Sequence, residues 1–129
     1  MVGIVIVSHS QKLAESVVEL AGLMALNAPI AAAGGMEDGG FGTSFEKIQA
    51  AITSVYSEDG VVVLMDLGSA VMTTEMVVEL FEGKKVAMAD CPLVEGAVVA
   101  AIDSVGGVSF EDMMEHLGKV WGTRKILPS

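Results

Sequence analysis

With 129 residues, 52% apolar and 19% charged, the chain is long enough to bury a core as one domain over residues 1–129, without disulfide or metal staples. A formal net charge of −10, with only seven Lys plus Arg, excludes the basic patches that bind nucleic acid or anionic membrane surfaces. The single cysteine, Cys91, excludes an internal disulfide framework. No apolar run reaches the ~20 residues of a membrane span or has the form of a signal sequence, so a cytoplasmic protein is expected.

In chain order, the β-branched run over 2–7 predicts a strand buried on both faces. From Gln11 the period changes to that of a helix, with Leu13, Val17, Leu20, Ala21 and Met24 on its apolar face. Asn27 to Pro29 break that pattern, and 30–33 predicts a second strand feeding the loop "GGMEDGGFGTS". Thr43 or Ser44 caps the next helix, whose inward stripe is Ile48, Ile52 and Val55. After the Asp59-Gly60 turn, 61–65 predicts a third strand ending at Asp66. A helix is expected from about Ser69, with Met72, Met76, Val77 and Leu80 inward, stopping at Gly83. A fourth strand falls at 85–89, and an apolar helix over 93–105 closes at Gly106-Gly107. Ser109 and Asp112 form a capping box for the last helix, which ends at Gly118 or Gly122. The tail "RKILPS" is a candidate fifth strand at the sheet edge, limited by Pro128.

Four alternations of strand and helix imply right-handed crossovers. The expected fold is therefore α/β: a doubly wound, mainly parallel four-stranded sheet with helices on both faces, for which the order 2-1-3-4 makes strands one and three neighbours. Such sheets bind ligands beyond the carboxyl ends of their strands, where the winding reverses. There the first strand ends in Ser8-His9-Ser10 and the third in Asp66-Leu67-Gly68-Ser69. Strands one and three as neighbours lie roughly 4.8 Å apart, which brings His9 within hydrogen-bonding reach of Asp66. A carboxylate on one ring nitrogen fixes the tautomer and leaves the other nitrogen a lone pair, which makes His9 a nucleophile. Helix N-termini beside it offer free amides and a positive dipole end, both suited to a phosphate group. Ser10, Thr43 and Ser69 add hydroxyls, and Gly40, Gly42 and Gly68 permit close backbone approach. His9 and Asp66 are therefore the catalytic candidates, and those six residues the phosphate-binding ones.

Other chemistries fail on single residues. The Gly-rich loop lacks the Gly-Lys-Ser/Thr ending of a nucleotide-binding P-loop, and Phe45 stands where a dinucleotide fingerprint needs its third glycine. The strand ending in Asp66 is similar to that of a phosphoacceptor receiver domain, but "SHS" replaces the acidic residues that would hold magnesium. Ala97 stands where a Cys-x5-Arg phosphatase loop needs arginine, so Cys91 reads as a small buried thiol. His116 reads as a solvated flank of the last helix. Two histidines and one cysteine meet no metal-ligand spacing, so neither metal nor cofactor is expected.

Four stretches together carry a family resemblance that covers essentially the whole chain: "GIVIVSHS" with His9, "GGFGTS" at 39–44, "VVLMDLGSA" with Asp66, and "CPLVEGAVVAA" at 91–101. They resemble the enzyme IIA domains of the mannose-family phosphotransferase system. The "GTS" and "DLGSA" stretches are similar to the branch that serves bacterial dihydroxyacetone kinase. The resemblance implies that His9 takes a phosphoryl group from HPr, which is charged by phosphoenolpyruvate through enzyme I. It implies that Asp66 orients the ring so that Nε2 is the acceptor. The group would then pass to ADP held in DhaL, which with DhaK phosphorylates dihydroxyacetone. The family further implies a homodimer, through the fourth strand and the C-terminal region. Because no linker follows the domain, HPr and enzyme I are expected on separate proteins. Two other functions share these residues: the enzyme IIA component of a mannose-type sugar transporter, and a non-enzymatic anion-binding module.

Overall fold

In the computed structural model, which describes residues 1–128, the β-branched runs pair as one parallel sheet. Its strands are β1 (Gly3–Ser8), β2 (Ile30–Gly34), β3 (Val61–Met65) and β4 (Val86–Met88), in the order β2-β1-β3-β4. Parallel neighbours require crossovers, supplied by α1 (Gln11–Met24), α2 (Phe45–Val55) and α3 (Gly68–Glu79). After β4 come α4 (Leu93–Val105), α5 (Phe110–Gly118) and a single 3-10 turn, Val120–Gly122. The expected order 2-1-3-4 is the order found.

Alternation along β1 and β3 divides the core. Ile4, Ile6, Val62 and Leu64 face α1, α4 and α5, whereas Val5, Val7, Val61 and Val63 face α2 and α3. Burial of all six β1 residues explains why that run reads as continuously apolar. Ser44 rather than Thr43 caps α2, accepting from the Lys47 amide, and Ser109 caps α5 through the Asp112 amide.

Two helices turn differently from expectation. In α1 the buried face is Ala14, Val17 and Ala21, whereas Leu13, Leu20 and Met24 stand exposed. Here the helix lies against the small side chains of β2 and against α4, and the closest approach selects its alanines. In α3 the buried positions are Ala70, Thr74 and Val77; Met72, Met76 and Leu80 face outward, at 70%, 58% and 56% exposure. That segment is apolar almost all round, so periodicity alone admits more than one inward face.

The tail forms no fifth strand over residues 123–128. It runs instead beside α4, where the Lys125 ammonium pairs with Glu95 at 2.6 Å. A three-residue β4 offers a short ladder to pair with, and Pro128 has no amide to donate to it.

Candidate phosphoryl-acceptor site

Register places the site. Val7 of β1 is opposite Met65 of β3, so His9 and Asp66 leave the sheet side by side at its carboxyl end. The Asp66 amide donates to the Val7 carbonyl at 3.2 Å, extending the ladder by one bond.

Asp66 accepts from four donors. Its Oδ2 takes the Ser8 hydroxyl at 2.8 Å and the His9 amide at 3.0 Å; its Oδ1 takes His9 Nδ1 at 2.9 Å and the Leu67 amide at 2.7 Å. Burial pushes this carboxyl upward. The His9 amide, the Ser8 hydroxyl, the His9 ring and the Leu67 amide outweigh burial and hold it below its ordinary value of 3.8. A carboxylate in this setting accepts only, so Nδ1 of His9 carries the proton and Nε2 holds the free lone pair. Ser69 Oγ lies on Nε2 and, against that lone pair, is the donor. The ring keeps 26% of its side-chain surface exposed, and Asp66 keeps 12%.

The surrounding residues divide by what their polar groups already do. The Ser10 hydroxyl caps α1, accepting from the Leu13 amide at 3.2 Å, and the Ser10 amide donates to Ser8 Oγ. The Gly42 amide donates to the His9 carbonyl at 2.9 Å from a φ of +137°, a conformation that favours glycine. The Gly40 amide closes a turn on Asp38, and the Gly40 carbonyl accepts from the Met36 amide. Thr43 Oγ1 lies 3.0 Å from Thr73 Oγ1. Gly68 and Ser69 differ from the rest of this group. They open α3, whose N-cap, Leu67, makes no side-chain cap, and their amides have no acceptor among the described residues. Uncapped first-turn amides at the positive end of a helix dipole suit an anionic oxygen.

Ser8, the Leu67 amide and Thr73 are additions to the predicted set. Ser8 carries a signal: it is a polar residue in an apolar strand, and it is fully buried. Thr73 lies four residues after Ser69, on the same helical face. The Leu67 contact is backbone, to which side-chain identity gives no clue. Cys91 is buried, and burial, then the Asp90 carboxylate, push its thiol up to about 11, so it is inert as a nucleophile at neutral pH. His116 lies outside this site, on α5, paired with Asp103 at 2.7 Å. Among the described residues no three His, Cys, Asp or Glu side chains converge as a metal site, and no helix is long and apolar enough to cross a membrane.

The parallel 2-1-3-4 sheet thus carries a tautomer-fixed histidine beside an open helix start, an arrangement suited to receiving an anionic group. Residues 3–115 match the family described as PTS system fructose IIA component, of the mannose type, and the chain belongs to that family. It is 38% identical over 118 residues to the "PTS-dependent dihydroxyacetone kinase, phosphotransferase subunit DhaM" of Lactococcus lactis, covering 92% of this chain and 94% of that one. It is also 38% identical over 139 residues to the "PEP-dependent dihydroxyacetone kinase, phosphoryl donor subunit DhaM" of Klebsiella michiganensis. There it covers the whole of this chain but 29% of the relative. The fold is shared with the mannose/sorbose-specific IIA subunit of the phosphotransferase system from Enterococcus faecalis, with a TM-score of 0.62, 20% identity and 99% and 97% of the two chains covered.

Proposed function

We propose that the chain is a phosphohistidine carrier, the phosphoryl donor subunit of a phosphoenolpyruvate-dependent dihydroxyacetone kinase. His9 accepts the group from phospho-HPr and passes it to ADP held in DhaL, whose ATP then serves the sugar phosphorylation with DhaK. The carrying observation is the pairing of a lone pair on Nε2, fixed by the Nδ1–Asp66 hydrogen bond, with the uncapped start of α3.

In the transfer, Nε2 attacks phosphorus and the bond from phosphorus to the donor protein breaks as the P–Nε2 bond forms. The Nδ1 proton stays on the ring. The positive charge that develops on the phosphorylated ring faces the Asp66 carboxylate, and the phosphoryl oxygens face the Gly68 and Ser69 amides. Ser69 shifts its hydroxyl proton from Nε2 to a phosphoryl oxygen. Little covalent work falls to the protein, and catalysis is mainly positioning and charge stabilisation. The return transfer to ADP reverses each step.

Exposure of the acceptor supports exchange with macromolecules. Phe41, Leu67 and Met72, at 85%, 65% and 70% exposure, lie on the loop and helix start that flank His9. They provide an apolar docking rim in an otherwise acidic protein. The carrier works in the cytoplasm and as a homodimer in this reading.

The test is intact mass after incubation with phosphoenolpyruvate, enzyme I and HPr. One added phosphoryl group is expected, absent from His9→Ala and discharged by DhaL loaded with ADP. A gain that DhaL cannot discharge would move the chain to sugar transport. No gain with active partners would leave an anion-binding module.

A further inference from the structure

We propose that Thr73 is a positioning residue for phosphoryl transfer, acting through Thr43; the inference rests on the carrier reading above. Thr73 lies on α3 one turn after Ser69, and its hydroxyl donates to the Ser69 carbonyl at 3.2 Å. A threonine hydroxyl has one proton. With that proton on Ser69, the 3.0 Å contact between Thr43 Oγ1 and Thr73 Oγ1 has one consistent polarity: Thr43 donates and Thr73 accepts.

Two consequences follow from this chain of hydroxyls. First, Thr73 ties the 39–44 loop to the start of α3. That loop is also held on the His9 backbone carbonyl by the Gly42 amide, so it is tied both to the end of β1 and to the start of α3. Second, the Thr43 proton is committed to Thr73 while His9 is unphosphorylated. Thr43 becomes a donor to a phosphoryl oxygen only when the chain reverses, with Thr73 donating to Thr43 instead of to the Ser69 carbonyl. Ser69 makes the parallel change, from Nε2 to phosphoryl oxygen. Removing the Thr73 hydroxyl leaves Thr43 without its anchor and the loop free to drift from the reacting centre, where small misplacements are costly.

The experiment compares kcat and KM for phospho-HPr in the wild type, Thr73→Val, Thr73→Ala, Thr73→Ser, Thr43→Val and the Thr43→Val/Thr73→Val double variant. The first two remove the hydroxyl with and without β-branching, so at least one keeps a sound helix. The expected result is a fall in kcat of about tenfold with KM unchanged, the size of one lost hydrogen bond felt in the transition state. Thr73→Ser should recover kcat, and the double variant should be no slower than Thr43→Val alone. Wild-type kcat in both hydroxyl-free variants, losses that multiply in the double variant, or no recovery with serine would each overturn the inference and leave the carrier reading intact. A wild-type chain that gains no phosphoryl group overturns both.

Discussion

At the scale of single residues, Asp66 holds the His9 ring in place, because four donors converge on its two oxygens. Asp66→Asn replaces an acceptor oxygen with an NH2 group that faces two of those donors. It leaves buried N–H or O–H groups unpaired, at about 1–3 kcal/mol, and releases the ring tautomer. Initial rates of His9 phosphorylation should fall by about a hundredfold or more, with circular dichroism checking that the chain is still folded. Because the folded carboxyl titrates below its ordinary value of 3.8, its contribution to stability is fully present above that pH. It is lost as pH falls through the depressed value. His9 and Asp66 are legible in sequence because each follows a buried strand, and the adjacency of β1 and β3 in the sheet brings them together. The Ser69 and Thr73 hydroxyl directions are not, since they follow from which acceptors the folded backbone leaves nearby.

At the scale of elements, α4 sits close to the sheet because Gly96 has no side chain. A methyl group there would meet Cys91 Sγ and come within 3.0 Å of Leu64 Cδ2. Gly96→Ala should destabilise the protein by about 1–3 kcal/mol, read by urea denaturation, and a second change, Cys91→Ala, should recover part of that loss. Further along, the ends of α4 and α5 are joined by His116 and Asp103. The hydrogen bond from His116 to Asp103, then the charges of Asp103, Asp112 and Glu115, raise the imidazole above its ordinary 6.5 despite slight desolvation. Stability from this pair is therefore complete below about pH 6.5 and fades as pH rises through the raised value. Melting temperatures across that interval should fall more for the wild type than for His116→Gln, with His9 phosphorylation unaffected by the substitution. The helices themselves are legible from period and caps. Which face of α1 and α3 turns inward is not, because alanines fit the close approaches and the larger Leu and Met side chains remain at the margin.

At the scale of the whole molecule, several large apolar side chains stay in water: Trp121, Ile126 and Leu127 at 63%, 86% and 79% exposure, with the Trp121 indole donating to the Asp90 carbonyl just after β4. The adjoining β4 pairs on one side only, with β3. If the chain forms the homodimer proposed above, this region is the expected contact. Sedimentation equilibrium should give a dimer, and Ile126→Asp combined with Leu127→Asp should weaken it; a monomeric wild type would overturn the assignment. With a net charge of −10 on each copy, association should tighten as salt is added.

By itself the sequence determined the strand–helix alternation, the mainly parallel doubly wound sheet and the placing of His9 and Asp66 each just after a buried strand. These depend on local period and on chain connectivity, which a linear pattern carries. The tertiary structure alone decided that the tail leaves the sheet, that Gly40 and Gly42 direct their amides into the loop and the His9 carbonyl, and that α3 begins uncapped beside Nε2. Each of those depends on which donor meets which acceptor across residues distant in the chain.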